Sequence, residues 1–94
     1  MTVPPGGQSS IAMEFNPSGV VITNGSGAMS ANIVYVWVYP AQISVTPTAL
    51  SLDPAGSSML APPAPQFDPN GDMFNVKTLV IYNTGAAKVS ARLQ

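Results

Sequence analysis

The stretch Ile33-Val34-Tyr35-Val36-Trp37-Val38-Tyr39 decides the fold class of this chain. Its β-branched and aromatic residues favour an extended, pleated backbone. At a period of two, Ile33, Tyr35, Trp37 and Tyr39 fall on one face, and Val34, Val36 and Val38 on the other. Both faces are apolar, so the strand is expected to be at least partly covered on both sides. A domain this small offers a sheet one sandwich core to face. The second apolar face is therefore expected to meet a loop or another protein, unless Tyr and Trp simply border solvent.

Working outward, the same rhythm recurs in short pieces separated by turn chemistry. The strand opens at Met29, and Pro40, which cannot donate to a ladder, ends it. Upstream, Ile11, Met13 and Phe15 alternate with Ala12 and Glu14, Asn16-Pro17-Ser18-Gly19 reads as a turn, and Val20 to Thr23 as a strand closed by Asn24-Gly25. Downstream, Ile43 to Thr46 predicts a short strand broken by Pro47, and Leu50 and Leu52 flank Ser51 in another before Asp53-Pro54-Ala55-Gly56 turns the chain. Met73 to Asn83 reads as one long strand, with Phe74, Val76, Thr78, Val80 and Tyr82 on one face and Lys77, Leu79 and Ile81 opposite. In the last strand Ala87, Val89, Ala91 and Leu93 are expected to point inward, and Lys88, Ser90 and Arg92 outward. No segment carries a sustained helical period with caps. The expected fold is all-β: an antiparallel β-sandwich of about six or seven strands. Residues 1–9 read as an extended, Pro- and Gly-rich N-terminal arm, residues 10–94 as a single sandwich domain, and 57–72 as a long loop containing APPAP at 61–65. The turns echo one another, Thr23-Asn24-Gly25 against Asn83-Thr84-Gly85, which turn chemistry alone can produce.

Composition narrows the function. The 94 residues include 3 basic and 4 acidic side chains, no His and no Cys, and charged types make up 7% of the chain. A small soluble domain ordinarily carries about a quarter or more of its surface as charge. This chain either relies on uncharged polar residues for solubility or works packed against something else. A net charge of −1 excludes the phosphate-neutralising surface of a nucleic-acid binder and a polybasic membrane surface. The apolar run at 33–39 is far too short for a membrane helix. The opening MTVPPGGQSS, with no basic segment leading into an apolar one, is not expected to be a signal peptide.

Chemistry-bearing constellations are sparse. Nucleophilic catalysis lacks a His or Cys partner, and Lys77 and Lys88 are expected on solvated strand faces. The acidic residues Glu14, Asp53, Asp68 and Asp72 lie mostly in turns, so an enzyme is not expected. Asp68, Asn70 and Asp72 open like a calcium loop. The sixth and twelfth positions, which should be Gly and Glu, are instead Met73 and Leu79, so an Asx-rich turn is the expectation, with no metal or other cofactor. Asn24-Gly25-Ser26 has the form of a glycosylation sequon and reads as a hairpin turn. Pro62 and Pro65 have PxxP spacing, suited to a stiff loop or to an interface that loses little entropy on binding. Tyr35, Trp37 and Tyr39 suit an aromatic ligand stripe, a core or an interface anchor. The candidate interface residues are thus Val3, Pro4, Pro5, Tyr35, Trp37, Tyr39, Pro62, Pro63, Pro65 and Phe67.

The segments ISVTPTALSLDPAGSS and VKTLVIYNTGAAKVSARL, within residues 43–94, resemble the immunoglobulin-like domains of the major-sperm-protein and cilia-associated type. The resemblance rests on Pro47, Thr48, Leu50, Leu52, Gly56, Asn83 and Gly85; the chain departs from it in the 61–65 insertion and in lacking an aromatic after Pro-Thr. It implies an immunoglobulin-like sandwich acting as a scaffold or binding surface without catalysis. In type rather than in motif, a small, weakly charged sandwich also resembles virion decoration and minor capsid proteins. The leading expectation is a structural protein of a virion, a decoration, cement or minor capsid protein. Its partners would be other protein subunits, such as a major capsid or shell protein, with self-association in view and no nucleic acid or membrane. The alternatives are a carbohydrate-binding or adhesive module, and a scaffold domain of a filament or surface layer.

Overall fold

The computed structural model describes residues 1–13, 18–40 and 46–94. These form ten strands: β1 (Thr2–Val3), β2 (Gln8–Ala12), β3 (Val20–Asn24), β4 (Ala31–Val38), β5 (Thr48–Leu52), β6 (Ser57–Leu60), β7 (Gln66–Phe67), β8 (Met73–Phe74), β9 (Thr78–Asn83) and β10 (Val89–Leu93). Every pairing is antiparallel. The expected turn at 16–19, the end of the first expected strand at Phe15 and the expected strand from Ile43 lie wholly or partly outside the described residues.

The pairings describe a rolled ribbon. β1 pairs with β10, β2 with β9, β3 with β6 and β4 with β5, so the first part of the chain runs back along the rest. Rolling that ribbon brings β10 beside β3 and β9 beside β4. The result is two four-stranded sheets, β1-β10-β3-β6 and β2-β9-β4-β5, with β7-β8 as a separate hairpin. This is the strand order of a jelly roll, two interlocked Greek keys. The all-β antiparallel sandwich is as expected, but its order differs from the immunoglobulin arrangement, whose last two strands share a sheet. Here β9 and β10 lie in opposite sheets.

The inner faces supply one core. Val3, Val20, Ile22, Leu60, Val89 and Ala91 come from one sheet, and Ile33, Trp37, Leu52, Leu79 and Ile81 from the other. Ile22, Ile33, Leu79, Ile81, Val3, Val20 and Val89 are the largest fully buried side chains.

Among the described residues, two polar side chains are buried with them, Asn24 and Asn83, each at a corner where the chain leaves one sheet for the other. Asn24 Nδ2 donates to Met29 O at 2.8 Å and Asp53 O at 3.1 Å, while its Oδ1 accepts from Ser26 N at 2.9 Å. Asn83 Nδ2 donates to Ala87 O at 2.7 Å and Val3 O at 3.0 Å, and its Oδ1 accepts from Gly85 N at 3.1 Å. Each asparagine thus turns its own corner and ties it to a neighbouring one. The echo of the two Asn-Gly-type turns has this physical basis: two sheet crossings need the same bridging amide. The sequon asparagine is therefore an internal strut, 3% exposed.

Three sequence expectations change. Residues 1–9 are not an arm. Thr2–Val3 pairs with β10, Gln8 and Ser9 pair with Tyr82 and Ile81, and Val3 is fully buried. Pro4-Pro5-Gly6-Gly7 is a tight turn closed by Gly7 N donating to Pro4 O at 2.9 Å, with Gly6 at φ 75°. Proline at the second position and glycine at positive φ in the third make it a type II turn rather than a polyproline segment. The stretch 57–72 is not one long loop, because Ser57–Leu60 pairs with β3 and Gln66–Phe67 with β8. Serine-rich β6 hid its alternation, with Leu60 buried and Met59 exposed. The expected long strand 73–83 is broken at 75–77, so Val76 is buried while Val80 and Tyr82 point away from the core.

Deleting residues 1–9 should consequently destabilise the domain itself by more than about 3 kcal/mol, through loss of the buried Val3 and of ladder bonds on both sheets. Urea denaturation followed by circular dichroism would measure it. An unchanged midpoint would mean that the segment is dispensable to the fold.

Candidate protein-binding surface

The outer face of β2-β9-β4-β5 follows from the register. Val34 lies between Tyr82 and Ala49, Val36 beside Val80, and Val38 beside Thr78. On the far side of β9, Gln8, Ser10 and Ala12 stand opposite Tyr82, Val80 and Thr78. Side chains alternate across a strand, so these residues share the face opposite the core. Asn32 and Ser51 complete it near β5, joined by the Ser51 hydroxyl donating to Asn32 Oδ1 at 2.7 Å. Among the described residues, the face holds no charged side chain. Its centre is valine and tyrosine: Val34, Val36, Val38 and Val80 are half-buried, and Tyr82 is 38% exposed.

The opposite outer face is of ordinary kind. Its members include Thr2, Ser90, Thr23, Ser57, Arg92 and Met59, by the registers of β1, β10, β3 and β6. It carries a cation and mostly hydroxyl side chains. The two skins of the sandwich are thus chemically distinct.

The edges of the uncharged sheet are also plain. β2 (Gln8–Ala12) and β5 (Thr48–Leu52) contain no charged residue and no proline. Sheet edges are usually guarded by Lys, Pro or a bulge against unwanted pairing.

The sequence-predicted interface residues divide sharply. Trp37 is 7% exposed and Tyr39 2%, both inside the core, and Tyr35 packs against it with its ring edge-on to Trp37 at 6.5 Å and 80°. None of these rings forms an open stripe, because the aromatic face of β4 is the inner one. Val3 is buried as well. Pro4 and Pro5 are exposed at the β1–β2 turn. Pro62 and Pro63 are half-buried and Pro65 exposed, in a segment pinned by the Tyr39 hydroxyl donating to Ala64 O at 2.6 Å. Phe67 is the most exposed large apolar side chain among the described residues, at 66%. The residues missed as candidates, Val34, Val36, Val38, Val80 and Tyr82, were present in the alternation. Nothing local said which face of β4 would turn inward.

The Asp68 turn uses its carboxylate on the backbone: Oδ1 accepts from Asn70 N at 2.9 Å and Asp72 N at 2.8 Å. That is the geometry of an Asx turn closing a hairpin. Among the described residues, no cluster of three or more His, Cys, Asp or Glu side chains converges as metal ligands would. Lys77 and Lys88 are exposed.

No protein-family model matches the chain, and no curated protein matches its sequence.

Proposed function

We propose that this chain is a structural protein that binds other protein subunits through the outer face of β2-β9-β4-β5, as a decoration, cement or minor capsid protein of a virion. The observation that carries the reading is the uncharged valine-tyrosine face, set on a chain with only 7% charged residues. Each half-buried valine there has roughly 1 kcal/mol of transfer free energy still to gain on being covered. A face built on paired strands is already ordered and loses little conformational entropy on docking, so more of that gain remains as affinity. Shell cohesion would follow from surface burial: a subunit cannot leave without exposing that face again. Jelly rolls occur in viral capsid and lectin domains, which is an analogy of fold alone. A filament or surface-layer scaffold would use the same face by the same physics. The carbohydrate-binding alternative loses its proposed stripe, since Trp37 and Tyr39 are buried.

Val36→Lys puts a charge at the centre of the face without touching the core. With shells of the source virus assembled without this chain, wild-type protein should co-sediment, and the variant should bind at least about a hundredfold more weakly, the cost of burying an unpaired ammonium. Its thermal midpoint should move little. Equal binding by a folded Val36→Lys protein would remove the outer face from consideration.

A further inference from the structure

The chain contains two Asn-Gly pairs, Asn24-Gly25 and Asn70-Gly71. Such a pair carries its own reaction. The backbone nitrogen of the glycine can attack the carbonyl carbon of the asparagine side chain, because glycine has no Cβ to obstruct the approach. The fold puts the two pairs in opposite circumstances. Asn24 is 3% exposed, and its amide group is held by Met29 O, Asp53 O and Ser26 N. Gly25 N donates to Lys88 O at 2.7 Å, next to the β3–β10 pairing. Attack there requires a side chain pulled out of the core and a four-stranded sheet opened.

Asn70 and Gly71 are both exposed, at the tip of the β7–β8 hairpin. Asp68-Pro69-Asn70-Gly71 is a type I turn, closed by Gly71 N donating to Asp68 O at 2.9 Å, with proline second and Gly71 at φ 85°. Among the described residues, Asn70 is held only through its backbone N–H, by Asp68 Oδ1 at 2.9 Å, and its side-chain amide has no partner. The positive φ is what demands glycine at 71, and a Cβ built there would meet nothing within 4 Å. The attacking nitrogen must first leave its bond to Asp68 O. That bond belongs to a two-stranded hairpin outside both large sheets, and such a unit opens locally without the domain unfolding.

We infer that Asn70 is a site of spontaneous self-modification, which the fold permits there and denies at Asn24. Gly71 N forms a bond to Asn70 Cγ and gives up its proton, the side-chain amide leaves as ammonia, and a cyclic succinimide closes. Water then adds to one of the two ring carbonyls and breaks that carbonyl's bond to the Gly71 nitrogen. Opening at Cγ leaves an aspartate at position 70. Opening at the main-chain carbonyl leaves an isoaspartate, whose Cγ now carries the main chain. The net reaction consumes water and releases ammonia, with no oxidant, reductant or enzyme. Both products add a carboxylate beside Asp68 and Asp72, and isoaspartate also lengthens the main chain by a methylene. The spacings that let Asp68 O accept from Gly71 N, and Asp68 Oδ1 from Asp72 N, are then lost, and with them the closure that sets Phe67 opposite Met73. The hairpin therefore carries an irreversible ageing step from which Asn24 and its corner are spared. This inference does not rest on the outer-face reading, because it uses different residues.

Ageing the whole chain at physiological pH and temperature, natively and in concentrated urea, tests it. Peptide mass mapping follows each amide, and an isoaspartate-specific methyltransferase labels the product. In the native protein, position 70 should lose its amide at least about tenfold faster than Asn24, because a local opening is far more frequent than an opening of the core. In urea, Asn24 should accelerate and approach the rate at position 70, since both pairs are then open chain. Asn70→Gln, whose longer side chain must close a larger ring, should end the isoaspartate labelling of the native protein. Equal native rates at the two sites, a native Asn70 that keeps its amide while the urea-unfolded chain loses it, no gain at Asn24 in urea, or undiminished labelling of Asn70→Gln would each overturn the assignment.

Discussion

Trp37→Ala is expected to bring the domain close to unfolding. Trp37 is the chain's single tryptophan, 7% exposed, on the inward side of the central strand. Truncating a buried Trp to Ala costs about 3 to 5 kcal/mol, the lost transfer free energy plus the cavity left behind. The edge-on contact with Tyr35 adds to the loss. A domain of this size has roughly 5 to 14 kcal/mol of stability in total. The thermal midpoint should therefore fall by roughly 15 to 30 °C. Trp37→Phe, which keeps an aromatic ring in the site, should cost less than about half as much. Calorimetry or far-ultraviolet circular dichroism measures both. Wild-type emission from this residue should also be blue-shifted and poorly quenched by iodide. A Trp37→Ala protein with an unchanged midpoint, or a readily quenched tryptophan, would place the ring at the surface and return it to consideration as part of a sugar-binding stripe.

Asn83→Ala is expected to be almost as damaging, for a different reason. The side chain is 3% exposed and makes hydrogen bonds to Val3 O, Ala87 O and Gly85 N. Removing it leaves buried carbonyls without donors, which costs more than the bonds themselves contribute. The expected loss is about 2 to 4 kcal/mol, or roughly 10 to 25 °C in the melting temperature. Asn83→Asp should not rescue: an ionised carboxylate can still accept from Gly85 N but cannot donate to the two carbonyls. Native-state hydrogen exchange should locate the damage at the corner shared by β1, β9 and β10. If Asn83→Ala melted within a few degrees of wild type, the corner amide would not be holding the sheets together.

Both predictions bear on how the protein could serve an assembly. A docking face is useful only if it stays flat and in register, and register in β4 depends on what fills the space behind it. Ile33, Trp37, Leu79 and Ile81 press the inner side of the β4–β9 pair against the opposite sheet. The same alternation then presents Val34, Val36, Val38 and Val80 on the outside. A slip of one residue would exchange the two sets. The rigid core and the uncharged skin are consequences of one periodicity.

Much of this was legible before any fold was known. Period-two patterning in β4, β9 and β10 announced strands, because a pleated backbone sends neighbours to opposite faces whatever the tertiary context. The scarcity of charge limited the chemistry, and Pro and Gly marked the corners. Segments whose pairing depends on distant partners were not legible. β6 is a strand because Val20, Val21, Ile22 and Thr23 of β3 pair with it, not because Ser57-Ser58-Met59-Leu60 is a strong β sequence. Residues 1–9 look like a tail until Ala91 N donates to Met1 O at 2.9 Å and Gly6 N to Asn83 O at 3.1 Å.

Local alternation determined by itself that β4 has two apolar faces, and composition determined that little charge could cover either. Only the tertiary structure decided which face is inside. That choice depends on the volume available between two sheets and on how the ribbon rolls, both set by contacts between residues far apart in the chain. The bulkier set, Ile33, Trp37 and Tyr39, fills the interior, and the valines remain outside.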